Sequence, residues 1–331
     1  MTPTPLYPLR FEPIYQYRPW GGRRLADLFG APLPGDGLIG EAWILSDRDQ
    51  YPSVVADGPL KGSTIRQLLA QAPERVLGRL ARHFSRFPLL LKFLDVSQRL
   101  SVQVHPSDAY PELLSPGDSG KDEAWVVLQA GPEACVYAGL KPGASAQRVR
   151  QAIASATLPE LLASFAPGIG DALFIPAGAV HCLSDVVVFE AQQNSDVTFR
   201  LYDWGRVDPS THQPRALQVD QAIACMDFKR GAILPQRPLL EATTPVQRQQ
   251  LVCCDHFTLT RIDARAAFVV GAAGSARVLV GLSGTAQLEH AGISYALARG
   301  DVLLLAAEVG ECSCRPQGAA SVLELALPEA A

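Results

Sequence analysis

Twenty-seven glycines and 26 prolines are spread along the 331 residues, and they fall between short apolar runs rather than inside long ones. Both residues break helices, glycine through its backbone entropy and proline through its missing N–H. Apolar runs of about four to eight residues held between such breakers read as short strands joined by turns. Expected strands are 40–46, 89–94, 100–104, 123–128, 134–139, 172–175 and 186–192. The later part adds 257–262, 276–282, 285–290, 294–297, 301–305 and 321–327. The chain is therefore expected to be mainly β.

Helix signals are few. Thr64 stands where it would cap 65–71, and Pro73 opens a second helix with Val76, Leu77 and Leu80 on one stripe. Ser145 would cap 146–154, Thr157 would start 158–165, and a short helical patch lies near 219–226 within a proline-bearing connector, 207–245.

One internal echo bears on architecture. Gly170-Asp-Ala-Leu-Phe-Ile-Pro-Ala-Gly178 resembles Gly300-Asp-Val-Leu-Leu-Leu-Ala-Ala-Glu308, 130 residues downstream. A Gly-Asp turn feeding a buried strand, twice, is what a repeated antiparallel barrel would show. A duplicated jelly roll is expected, with a few short helices inserted in the N-terminal half. The division is drawn at residues 1–240 and 241–331. In this alignment His181 falls opposite Glu311, and the second copy has no histidine at a ligand position, so the chemistry is assigned to the first half.

Charge excludes some functions. With 29 basic and 33 acidic side chains the net charge is −4, which offers no reason to bind nucleic acid or an anionic membrane. No apolar run approaches the ~20 residues that span a bilayer. The start, Met1-Thr-Pro-Thr-Pro-Leu-Tyr-Pro8, lacks the basic and apolar regions of a secretion signal. Seven cysteines without a C-x-x-C pair suit reduced thiols. A soluble, cytoplasmic protein is expected.

Six histidines occur, and two stand among plausible co-ligands. In Leu100-Ser-Val-Gln-Val-His-Pro106, alternation places Ser101, Gln103 and His105 on one face, opposite Val102 and Val104. A solvated strand edge ended by Pro106 would look the same. Glu123 stands at the entry to the apolar run Ala124-Trp-Val-Val-Leu128, where a lone carboxylate is costly unless paired or metal-bound. His181 follows Ile175-Pro-Ala-Gly-Ala-Val180, a turn after a buried strand. Two imidazoles, a carboxylate and an amide suit Zn²⁺ with room for substrate, and the same set accepts Mn²⁺, Fe²⁺ or Co²⁺.

These segments, together with Pro88-Leu-Leu-Leu-Lys-Phe-Leu-Asp95, Gly120-Lys-Asp-Glu123 and Glu190-Ala-Gln-Gln-Asn-Ser-Asp196 with Arg200, resemble type I mannose-6-phosphate isomerase in its short bacterial branch. Trp20-Gly-Gly22 and Gly40-Glu-Ala-Trp43 fit as well, and the resemblance runs from about Phe11 to Arg206. It implies a cupin fold, one zinc ion per chain held by Gln103, His105, Glu123 and His181, and interconversion of mannose 6-phosphate and fructose 6-phosphate. It also implies a catalytic Arg200 and active-site positions for Glu190 and Lys121. Asp122 departs from the family's usual Thr or Pro and is expected to add a negative charge beside the metal.

The reaction moves a proton between C2 and C1 through an enediol, so it needs a base and stabilisation of a developing oxyanion. Glu190 or a metal-bound water is expected to shuttle the proton. On a regular strand Glu190 would share a wall with Gln192, Asn194, Asp196, Thr198 and Arg200, unless Asn194-Ser-Asp196 bends the chain. Arg200 would steady the enediolate. Lys121 would meet the phosphate or a sugar oxygen, Ser101 would donate to the phosphate, and Lys92 is either a buried ion-pair member or a pocket residue. The small-molecule sugar phosphate is the expected partner, and the chain is expected to be a monomer or weak homodimer. Rival readings are a non-catalytic sugar-phosphate sensor, an isomerase of another sugar phosphate, and an iron-dependent oxygenase, which would leave Arg200 unexplained.

Overall fold

Nine strands of the N-terminal half join in one antiparallel sheet in a computed structural model that describes residues 4–207, 212–239 and 244–328. They are β1 (Ile14–Gly22), β2 (Ile39–Leu45), β3 (Leu89–Val96), β4 (Val102–Val104), β5 (Glu123–Leu140), β6 (Leu162–Phe165), β7 (Ala172–Ile175), β8 (His181–Gln193) and β9 (Phe199–Tyr202). The main path runs β1-β2-β3-β8-β4-β9, and β5 pairs with β6, β7 and β8. Five short helices accompany the strands: α1 (Leu25–Phe29), α2 (Ile65–Gln71), α3 (Pro73–Leu77), α4 (Ala146–Ala154) and α5 (Val219–Cys225). The chain is mainly β, as its turn residues require.

Side-chain alternation sorts this sheet into two faces. Leu89, Leu91 and Phe93 of β3, Ala124 and Val126 of β5, and Val187, Phe189 and Ala191 of β8 enter one core. That core also holds α2, α3 and the C-terminal half. The intervening Leu94, Val96, Trp125, Val127, Val186 and Val188 enter a second core on the other face, which continues under α5. Lys92, Glu123 and Glu190 belong to this second set by parity, so each polar group shares its face with apolar neighbours of its own strand.

The remaining strands form two sheets. β10 (Val246–Cys253), β11 (Thr258–Ala264), β13 (Arg277–Ser283), β16 (Val302–Leu305) and β18 (Ala320–Ala326) make one, in the order β10-β11-β18-β13-β16. β12 (Phe268–Val270), β14 (Thr285–His290), β15 (Ile293–Ala298) and β17 (Cys312–Pro316) make the other. The two Gly-Asp turns lead into β7 and β16, so the echo marks equivalent strands. The boundary drawn between residues 240 and 241 lies outside the described residues.

The predicted caps are present: Thr64 and Gln67 form a reciprocal capping box, and Ser145 accepts from Arg148 N. Three expectations change. Segments 123–128 and 134–139 are one strand, β5, because register shifts at Val127/Gln129 and Ala130/Cys135 absorb Gly131 and Pro132. The helix expected over 158–165 is a single 3₁₀ turn, Leu158–Leu161, after which the chain extends to pair with β5. Strand β1 was not expected, since Pro19 and two glycines interrupt it. It lies at the sheet edge, where a missing N–H is tolerated.

Candidate active site

The two imidazoles reach one point by different routes. His105 follows β4, and His181 opens β8 after the turn 176–180, whose Gly178 N–H donates to His105 O at 2.7 Å. Gly178 has φ +83°, and a Cβ there would lie 2.9 Å from Cys225 O, so only glycine fits this turn. Glu123 arrives from β5, with β4 joined to β8 through the pair Gln103↔His181. All three side chains are buried, and one ligand atom of each lies within 4.8 Å of the others.

Protonation leaves these groups presenting lone pairs toward one another. His181 Nδ1 faces Ala179 O at 2.9 Å and can donate only as N–H, which leaves Nε2 as a lone pair. That lone pair stands 3.1 Å from Glu123 Oε1, and His105 Nε2 stands 3.4 Å from Oε2. Neither carboxylate oxygen accepts a hydrogen bond of acceptable geometry, although Lys121 Nζ lies 2.8 Å from Oε2. Burial, then the Lys121 charge, pushes His105 down to about 3, and burial also lowers His181. Burial opposes ionisation of Glu123, but Lys121 and the imidazoles outweigh it and hold the carboxyl well below its usual range. Two neutral imidazoles and a carboxylate aimed at one point fit a divalent metal ion. The Gln103 amide, 3.1 Å from His181 Nε2, reaches the same point.

A chain of buried charges runs beside this cluster. Lys92 Nζ lies 3.3 Å from Glu190 Oε1 and 3.5 Å from Glu41 Oε2, so it is both an ion-pair member and a pocket residue. Glu190 also accepts from Trp125 Nε1 at 3.0 Å. Burial disfavours charged Lys92, yet the two carboxylates keep its pKa above the ordinary value. Glu190 is raised, first by burial and also by the nearby Glu123 charge. Glu41 would be raised by burial, but Lys92 and Arg18 hold it at about 2.

These groups line one cavity of about 440 Å³. Ser101, Gln103, Lys121, Lys92, Glu190 and Arg200 all line it, and His105, Glu123 and His181 adjoin it through their contacts with Gln103 and Lys121. The regular-strand expectation for 190–200 fails, because β8 ends at Gln193 and β9 begins at Phe199. Asp196, Thr198 and Arg200 nevertheless return to the cavity wall, since β9 pairs with β4 beside the metal ligands. Asp122, expected to add charge at the cluster, is engaged with Ala177 and His256. Its carboxylate accepts from Ala177 N at 2.7 Å and so braces the His181 turn. Asp203 and Trp204 serve the structure: Asp203 holds Arg206 and Arg215, and Trp204 Nε1 donates to Leu100 O.

Arg18, Glu41 and Trp125 went unassigned from sequence, although Glu41 lay inside a quoted motif. Alternation held a signal for Glu41, which shares a face with Trp43 and accepts from its Nε1 at 2.7 Å.

Comparison with known proteins agrees with this geometry. Residues 9–123 match the family of phosphomannose isomerase type I, catalytic domain. The chain is 30% identical over 307 residues to mannose-6-phosphate isomerase ManA of Bacillus subtilis (strain 168), covering 92% of this chain and 94% of that one. It is 32% identical over 309 residues to mannose-6-phosphate isomerase of Streptococcus mutans, covering 90% and 92%. The crystal structure of mannose 6-phosphate isomerase from Bacillus subtilis superposes with a TM-score of 0.85 at 27% identity, covering 97% of this chain and all of that one. With a strongly conserved overall fold and aligned length of this extent, the chain belongs to the type I mannose-6-phosphate isomerase family.

Proposed function

We propose that this chain interconverts mannose 6-phosphate and fructose 6-phosphate, with one Zn²⁺ held by His105, Glu123 and His181 and by the amide oxygen of Gln103. The observation that carries the reading is a pair of buried carboxylates with opposite pKa directions, Glu190 lining the cavity and Glu123 next to it against the cavity residue Lys121. One is suited to stay ionised as a ligand, and the other, held above its ordinary value, to take up and release a proton. Bound metal would supply charge stabilisation at the substrate oxygens.

Glu190 takes the proton from C2 of the open-chain aldose and returns it to C1, while the hydroxyl proton on O2 is transferred to O1. Charged Lys92, 3.3 Å from Glu190, holds the base in place through that exchange. Arg200 steadies the enediolate, Lys121 meets a sugar oxygen near the metal, and the Ser101 hydroxyl donates to the phosphate. Seven free thiols support a cytoplasmic address.

Incubation of the zinc-loaded protein with mannose 6-phosphate in heavy water tests this. Fructose 6-phosphate carrying deuterium at C1, or partial internal transfer with some washout, is expected. Absence of both product and exchange would reject the isomerase reading.

A further inference from the structure

Four cations line the active cavity, and they divide by depth. Lys92 and Lys121 are buried at 4% and 5% side-chain exposure and lie against Glu41, Glu190 and Glu123. Arg18 and Arg200 are only half-buried, and they stand on β1 and β9, the two ends of the sheet path. Both line one cavity, so the sheet brings its two terminal strands to a single pocket, Arg200 arriving there through its pairing with Gln103.

Arg18 is built into that position. A Cβ at Gly40 would lie 2.6 Å from Arg18 Cβ and 2.7 Å from the Trp20 ring, so the glycine on β2 is what lets both side chains cross it. Arg18 Nε then donates to Glu41 Oε1 at 2.8 Å, which fixes the plane of the guanidinium. Glu41 also serves Lys92 and Trp43, so its single charge is shared. Arg18 Nη2 donates to no described residue. Arg18 Nη1 makes only a long contact, 3.5 Å, to Tyr17 O, so a planar fork anchored through Nε keeps Nη2 for a phosphate, which it matches better than an ammonium does.

We propose that Arg18 binds the substrate's phosphate at the cavity mouth, while Arg200, paired with Gln103 on β4, stays with the reacting end. The inference rests on the isomerase reading: a hexose 6-phosphate with its carbonyl end at the floor ligands directs its opposite end toward the mouth. Glu41 acts as a positioning residue, orienting Arg18 at the mouth and Lys92 at the floor through its two oxygens.

The test measures inorganic phosphate binding to the metal-loaded protein by calorimetry, alongside steady-state kinetics with mannose 6-phosphate. Arg18→Gln is expected to weaken phosphate binding and raise KM by roughly 10- to 100-fold, the scale of one charge-assisted hydrogen-bond pair, with the loss in KM rather than kcat. Arg18→Lys should recover part of it. Arg150→Gln, which removes a remote exposed cation paired with Asp220, should change neither quantity. Unchanged phosphate affinity in Arg18→Gln would overturn the proposal, as would a fall in kcat alone, the signature of a disturbed Glu41–Lys92 contact. Because calorimetry needs no turnover, a wild-type protein that binds phosphate but converts no mannose 6-phosphate would reject the isomerase reading and leave the Arg18 result to be judged separately.

Discussion

The two halves of the chain use the same turn-and-strand unit for opposite ends. Gly170-Asp171 leads into β7 and then to His181, buried at the cavity floor. Gly300-Asp301 leads into β16 and then to Glu311, which is exposed. Around the first unit lie Lys92, Lys121, Glu123 and Glu190, all buried. Around the second lie Val278, Leu288, Leu297 and Leu303, also buried but wholly apolar. A cupin-type barrel is thus stable with either filling. The polar filling is tolerated because each buried charge has a partner of opposite sign, with Glu123 also facing the imidazoles of His105 and His181.

The sharpest way to break this contrast is to remove a floor ligand. His105→Ala and His181→Ala are each expected to lose stoichiometric metal and to lower kcat/KM by about 10³-fold or more, read by metal analysis and kinetics on the same preparations. Stoichiometric metal in either variant would show that the ligand assignment is wrong. Next, Glu190→Gln should keep the metal and lower kcat by roughly 10²- to 10⁴-fold, the usual range for a lost acid–base group.

In the apolar half the largest effect should fall on stability. Leu303→Ala, at a position with no exposure, should cost roughly 2 to 5 kcal/mol in chemical unfolding, with metal content unchanged. Glu41→Gln tests the charged half. Glu41 is held at about 2 against an ordinary 4.5, so its folded form favours the ionised state. That stability, roughly 3 kcal/mol, should be fully present above pH 4.5 and fade as pH falls toward about 2. The gap between wild type and Glu41→Gln should therefore be widest at neutral pH and close in acid. Smallest of all, Glu311→Ala should stay within about 0.5 kcal/mol of wild type and keep full metal content, although it occupies the place of His181 in the other half.

Local rules explain how much of this was legible beforehand. Thr64, Ser145 and Pro73 specify their helix starts through contacts three residues away or fewer, and those starts are where they were expected. Strands 172–175 and 285–290 match because a short apolar run and an alternating apolar and polar segment, each flanked by glycines, have few other conformations. The strand 14–22 was missed because its pairing with β2 is long-range and its own residues break the pattern. Gly131-Pro132 read as a stop, yet two bulges carry the strand through it, a solution that only the partner strand β8 makes available.

The sequence by itself determined the mainly β class, the halves' unequal chemistry and the identity of the floor residues, because residue type, alternation and order along the chain are enough for those. Depth and pairing were decided only by the tertiary structure. Nothing along the chain says that Arg18 and Glu41 meet Lys92 and Glu190, or that Asp122 turns away to brace residue 177. Such contacts depend on how strands distant in sequence lie side by side, and burial then sets which charges survive there.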